Sequence, residues 1–375
     1  MKGLRIALAI PVALLLAAIA MRVACAHVPP RAQIGLLQPL AVATNFDSFG
    51  AELLGALLAA AAAAAGAYWW ILAHGARCAG LRGPLAVAGI AALALFAAWC
   101  APVVFSSDVY AYAAYGELAR IGANPYAHQA LPDGNALFDA TIVQWGNPPP
   151  ACVYGLPFVW VAALLVRFFA PLGVAGQLAG LRVLSSGALL GAALLAYAAY
   201  PGDRIRRLSA AATIALNPAA IWCAAEGHND ALVIAVALGG LALARRGRFE
   251  IGAAVAAAAG TIKLPGVAAC LPMVLAVRRA WPGAALGALT TLAFSAPLLA
   301  NAATGFAAHA RYAPQVSLQA LVDTAASLWL GDRPAPALAW GIAAACAAAL
   351  TGVAIARLRR GSAEGWIYLA IGGWL

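Results

Sequence analysis

Charge is what this sequence has least of. Of its 375 residues only 10% are Asp, Glu, Lys or Arg, against 65% hydrophobic. A soluble domain carries about a quarter charged residues, so that class is excluded. Lysine is nearly absent, with Lys2 and Lys263 the only two among 23 basic residues, and the acids number 13. The seven cysteines (25, 78, 100, 152, 223, 270, 346) form no Cys-x-x-Cys and no spacing with His that suits a metal. A zinc ribbon or dithiol redox motif is thereby excluded, and these cysteines read as small apolar packing residues. The net charge of +10 does not come from a basic face either. The arginines fall mostly in short segments between apolar runs, which is the positive-inside pattern of membrane proteins. Nucleic acid is therefore not an expected partner.

What the sequence does have is apolar runs of about 20 residues, repeated along the chain, with a mean hydropathy of +0.88. Each is long enough for a membrane-spanning helix. The expectation is an all-α integral membrane protein, a polytopic helical bundle of about nine or ten spans. It forms one transmembrane domain over residues 1–375, with no fixed-period repeat.

The first run, 6–21, follows Lys2 and Arg5 and reads as an uncleaved span. Ala24-Cys25-Ala26 also resembles a signal-peptidase site, and either reading leaves 27–50 outside. Residues 52–72 return to Arg77 and Arg82, and 84–105 go out again. Region 106–150 is then extracytoplasmic, with four acids (Asp108, Glu117, Asp133, Asp139) and one arginine. Two runs come next, 153–170 and 178–200, before Arg204, Arg206 and Arg207. Two crossings would put those arginines outside, so either one run falls short of spanning or the positive-inside rule fails there. With them inside, 208–223 runs outward, 226–230 is exposed outside, and 231–244 returns to Arg245, Arg246 and Arg248. Residues 249–277 begin and end at basic residues and are broken by Lys263-Leu264-Pro265-Gly266. This predicts a hairpin of two short helices, because Pro265 cannot continue a helical ladder and Lys263 needs a polar partner. Residues 282–300 go out, 301–334 form a second extracytoplasmic region, and 335–356 come in to Arg357, Arg359 and Arg360. The last run, 366–375, is half a span.

Irregular polar chain inside a membrane protein is tolerated only where it meets water or lines a cavity. The segment from Ser106 to Tyr126 is where an acid, a tyrosine cluster and a Gly/Asn/Pro turn coincide. Ser106 or Ser107 is placed to cap a helix with Asp108 in its first turn. Asp108, Tyr112 and Tyr115, at i, i+4 and i+7, share one helical face, and Gly122 would end the helix. An acid beside hydroxyl-bearing aromatics suits a sugar site: the carboxylate takes a hydroxyl proton and the rings hold a pyranose. A capped interfacial helix in an aromatic belt explains the same residues.

The string Ser-Asp-Val-Tyr-x-Tyr-Ala-Ala-Tyr-Gly-x-Leu-Ala-x-x-Gly-x-Asn-Pro-Tyr resembles the first-loop signature of bacterial polyprenol-phosphate-mannose-dependent α-mannosyltransferases of the GT-C superfamily. Tyr154-Gly155-Leu156-Pro157, Asn217-Pro218, Gly227-His228-Asn229-Asp230 and Lys263-Leu264-Pro265 resemble that family in the same order. The resemblance covers roughly residues 84–280. It implies inverting transfer of a sugar, mannose foremost, from a polyprenyl-phosphate donor to a lipid-linked or envelope glycan. The reaction would take place on the outer face of the bacterial inner membrane, with Asp108 as general base. Such a reaction needs cations near the leaving phosphate but no strong general acid. His228, Lys263 and Arg311 are the candidates. Tyr112, Tyr115 and Asp230 complete the expected donor or sugar contacts. No cofactor is required, although Asp108 with Asp230 could hold a divalent ion. Asp230 with Asn229 could equally cap the helix they begin. A transporter or lipid flippase is the alternative class, and would place ionisable groups near mid-membrane in matched halves. An inactive scaffold of the same fold is a third reading.

Overall fold

A computed structural model describes residues 2–25, 51–78, 83–101, 107–200 and 202–301, with isolated helical positions between 341 and 356. Arg311 and the expected second polar region, 302–334, lie outside the described residues. Most of the described chain is helical, and no strand occurs among the described residues. In order it forms α1 (Lys2–Cys25), α2 (Ala51–Cys78), α3 (Pro84–Trp99), α4 (Asp108–Arg120), α5 (Ala136–Trp145), α6 (Leu156–Phe169) and α7 (Gly173–Ala199). Next come α8 (Arg204–Ala215), α9 (Pro218–Glu226), α10 (Asp230–Arg245), α11 (Phe249–Ala258), α12 (Leu271–Ala276), α13 (Trp281–Phe294) and α14 (Ala296–Ala300). The all-α membrane class expected from composition is what is found.

The count of full crossings is lower among the described residues than nine or ten. Two stretches are long and apolar enough, Leu4–Arg22 and Leu156–Ala199. A third arises if Arg204–Ala215 and Pro218–Glu226, bent by 50°, count as one broken span. Pro84–Trp99, Phe249–Thr261 and Leu264–Leu275 are apolar but shorter. Apolar composition survives breaks that Pro, Gly and buried polar groups impose, so run length overstates helix length.

The stretch 156–199 is itself folded back. At Gly173 the chain turns, and Gln177 Nε2 donates to Val166 O at 3.2 Å. An eleven-residue straight helix would hold those groups about 16 Å apart. The 14 residues of α6 rise about 21 Å, short of the ~30 Å hydrocarbon core, whereas α7 is long enough. By length, α6 is the shorter of the two and only α7 reaches a full crossing.

Helix α7 is the spine. It touches α4, α6, α8, α9 and α10. On one side α1, α2, α3, α8 and α9 share an Ala/Leu/Ile core from Ile10 to Ala231. On another, α4, α6 and the chain between them pack Tyr110, Tyr112, Tyr115, Tyr126 and Phe158 together. A third core joins α10 to α13. Between α11 and α12 the hairpin breaks where Pro265 and Lys263 predict, with 3₁₀ turns on both sides of an extended Lys263.

Candidate active site

Helix α4 begins at Asp108, whose charge sits in the first turn where the macrodipole favours an anion. Ser107 occupies the cap position but makes no side-chain cap bond. Its carbonyl instead accepts from Trp145 Nε1 at 3.1 Å, tying the start of α4 to the end of α5. Ser106 lies outside the described residues. One turn on, Tyr112 Oη donates to Asp108 Oδ2 at 3.1 Å, and Tyr154 Oη donates to Tyr112 Oη at 3.3 Å. Burial foremost, then the Asp108 charge, holds both phenols well above their ordinary titration range, so each keeps its proton to donate. The helix ends as expected, with Gly122 at φ 78°.

Tyr115 shares the helical face, but its hydroxyl donates to Pro150 O at 2.9 Å. Tyr126 does likewise to Tyr154 O at 2.9 Å, and Cys152 N reaches Pro125 O at 2.9 Å. These bonds fix the 121–155 chain against α4, and the Tyr115 ring lies 6.4 Å from that of Tyr154.

The second strand of the site comes from α9. The helix is capped by Asn217, whose Oδ1 accepts from Ala219 N and Ala220 N, with Pro218 at its first position. It ends at Gly227 in the left-handed region, φ 93°, where only glycine turns without strain. The turn delivers His228-Asn229-Asp230. His228 Nδ1 lies 3.7 Å from Asp108 Oδ2 and 3.7 Å from Asp230 Oδ2. Asn229 is fully buried, with Oδ1 3.5 Å from Tyr112 Oη. It occupies the cap position of α10 without a side-chain cap bond. Glu226 is 3% exposed. The expectation that 226–230 is solvent-exposed is thus corrected: the acid and the amide turn inward against α4 and α7.

The third strand is the hairpin break. Tyr154 and Lys263 form an isolated antiparallel bridge, with Gly155 N donating to Ile262 O at 3.3 Å. A Cβ at Gly155 would overlap Thr261 O, so the backbones meet where no other residue fits. The bridge aims Lys263 Nζ at Asp230 Oδ1, 2.7 Å away. Its side chain is 41% exposed, that of Asp108 28%, and those of Asp230 and His228 16% each.

Five of the seven singled-out residues therefore converge: Asp108, Tyr112, His228, Asp230 and Lys263. Tyr115 adjoins them through the Tyr154 ring, with its hydroxyl on Pro150 O, and Arg311 lies outside the described residues. Among the described residues no group of three or more His, Cys, Asp or Glu is arranged to hold a metal ion. Sequence reasoning misses Tyr154, whose motif reads only as a helix lead-in, and Arg182, which an apolar run hides. Chemically, the cluster offers a carboxylate fixed on one oxygen by a buried phenol, and a cation partly open to solvent.

The sequence profile of the family described as "alpha-(1->6)-mannopyranosyltransferase, N-terminal domain" matches residues 8–279. The chain belongs to that MptA/B family. Every member of the cluster falls inside the matched span. Alpha-(1->6)-mannopyranosyltransferase A of Mycobacterium tuberculosis (strain ATCC 25618 / H37Rv) is 33% identical over 157 residues. That match covers 40% of this chain and 30% of the relative, so less than a third of the mycobacterial protein is represented. No solved structure matches. MptA/B membership bears out the resemblance to α-mannosyltransferases drawn from the α4 signature.

Proposed function

We propose that this protein transfers mannose from a polyprenyl-phosphate donor to a hydroxyl of a lipid-linked or envelope glycan. The reaction would invert the anomeric centre and take place on the outer face of the bacterial inner membrane. The observation that carries the reading is the meeting, in one partly exposed cluster, of Asp108 held by Tyr112 with the Lys263–Asp230 pair and His228. The acceptor hydroxyl oxygen attacks the anomeric carbon as the bond to the phosphate breaks. Asp108 takes the hydroxyl proton. Lys263 and His228 face the charge that develops on the leaving phosphate. A metal is not required by these steps.

A lipid-linked donor is supported by a cavity of about 390 Å³ between α1, α2 and α9. Leu14, Met21, Leu57 and Trp222 are among the side chains that line it. Its lining is apolar apart from Asn217 and Tyr68 and reaches the first turns of α9, which suits a prenyl chain. Concentration of the acids in one cluster, rather than in matched halves, favours an enzyme over a transporter.

The test is mannose transfer by membranes expressing the wild type or Asp108→Asn, with labelled polyprenyl-phosphate mannose as donor. At equal expression the variant should be slower by a factor on the order of 10²–10⁴. Equal rates would remove Asp108 from the role of base.

A further inference from the structure

Arg182 has the largest side chain among those buried to below 2% exposure, and it sits in the middle of α7. An ionised group in an apolar helix is costly and needs specific partners. Its partners are main-chain carbonyls at the ends of two other helices. Nε donates to Ala225 O at 2.5 Å, in the last turn of α9, and Nη2 donates to Trp99 O at 3.3 Å, the last residue of α3. The guanidinium also lies 4.5 Å over the Trp99 ring. One turn on, Ser186 Oγ accepts from Trp99 Nε1 at 3.0 Å and donates to Ala224 O at 3.4 Å. Helix C-termini leave carbonyls without intrahelical partners and carry partial negative charge. Arg182 answers both needs at two ends at once.

The segments beyond those two ends give the contacts their meaning. After α9 come Gly227, His228 and Asp230, and after α3 the chain leads on to Asp108. A Cβ on Gly227 would meet Val109 Cγ2 at 2.9 Å on one side and Arg182 Cγ at 3.3 Å on the other. Gly227 is thus held between the residue next to Asp108 and the stem of Arg182. The charge is balanced by Glu226, which interacts with Arg182 electrostatically and accepts from Trp222 Nε1 at 3.0 Å. Arg22 of α1 lies close enough to repel Arg182 and donates to Cys100 O, just past the end of α3.

We infer that Arg182 is a positioning residue: its buried guanidinium ties the end of α9, which delivers His228–Asp230, to the end of α3, and its stem backs Gly227 where that turn meets Val109, next to Asp108, so it sets the spacing between the two. It touches no substrate. The inference rests on the proposed reading of that cluster as the transfer site.

The test uses the full chain in detergent with Arg182→Lys, Arg182→Met and the double variant Arg182→Met/Glu226→Gln. The double variant removes both buried charges together, so it spares the fold an unpaired ion. Folding is followed by thermal melting and transfer by separate kcat and KM for the lipid donor. In whichever variants melt near the wild type, kcat should fall roughly 10–100-fold, the scale of a misplacement near 1 Å. KM should stay within about threefold, and Arg182→Lys should recover part of the loss. A folded variant with kcat within about twofold of wild type overturns the inference, as does a loss that only tracks the folded fraction. Amide hydrogen exchange over residues 226–231 reads position without any activity. It should quicken in Arg182→Lys at the Gly227 and His228 amides, which bond Ala224 O and Cys223 O. Unchanged exchange there overturns the inference even if no preparation transfers mannose. Silence of the wild type in the transfer assay would instead count against the proposed reaction.

Discussion

On the proposed reading, Lys263 serves structure and chemistry at once. It neutralises Asp230 at 2.7 Å, yet its side chain is 41% exposed and open to a substrate phosphate. Lys263→Met should reduce transfer by roughly 10–100-fold, the scale of a lost charge-assisted hydrogen bond. Adding Asp230→Asn separates the two roles. If Lys263 only balances Asp230, the double variant regains transfer; if it faces the phosphate, it stays slow. Glu117 makes a prediction of a different kind. Its carboxyl is held below the ordinary 4.5, first by the hydrogen bond from Arg120 and also by that from Asn135, against the opposing effect of burial. A depressed folded-state value gives stability that is present above 4.5 and is lost as pH falls through the folded value. Thermal melting of the wild type should therefore drop below about pH 4.5. Glu117→Gln should melt lower at neutral pH and lose that part of the acid dependence. The sequence singles out Asp108, Asp230 and Lys263 one by one, from an acid in a helix start and an ion in an apolar run. That they meet is not readable there, because spacing along a chain says nothing of contacts between segments more than thirty residues apart. The direction of the Tyr115 hydroxyl is not readable either. Periodicity places a residue on a face, but the side chain then has its own direction, and here it leads the hydroxyl to Pro150 O.

At the scale of elements, the site depends on junctions between helices rather than on helices themselves. α4 starts it, the turn after α9 supplies its centre, and the break in the 249–277 hairpin closes it. Breaks are the more legible part: Pro265, Gly122 and Gly227 each interrupt where their backbone chemistry requires. Helix lengths are less so: the reversal at Gly173 falls in the gap between the runs 153–170 and 178–200, yet α6 covers only 14 residues of the first. The junction most exposed to mutation is the Tyr154–Lys263 bridge. Gly155→Ala would drive a methyl into a backbone oxygen, that of Thr261, which has no rotamer to change. Overpacking of this sort costs about 1–3 kcal/mol, and here it also pries Lys263 from Asp230. Purified Gly155→Ala should melt several degrees lower and lose transfer by more than its loss of folded protein. A variant with wild-type melting and rate would mean that the bridge is not needed.

For the whole molecule, sidedness is the consequence that matters. The proposed reaction needs the 121–150 chain on the outer face. Ala130 is exposed in that chain. Ala130→Cys in intact cells should react with a membrane-impermeant maleimide, above the background of the wild-type cysteines. Labelling only after the cells are opened would place the cluster on the wrong side for a donor presented outside.

The bridge between Tyr154 and Lys263 also sets an order of events. When synthesis has reached Asp230, the lysine that balances it in the folded protein is still 33 residues away and not yet made. Until the hairpin arrives, Asp230 must stay in water or in the insertion channel, and the cluster carries two acids without their cation. If the cluster is the proposed transfer site, that site is complete only once the hairpin beyond α10 has been made.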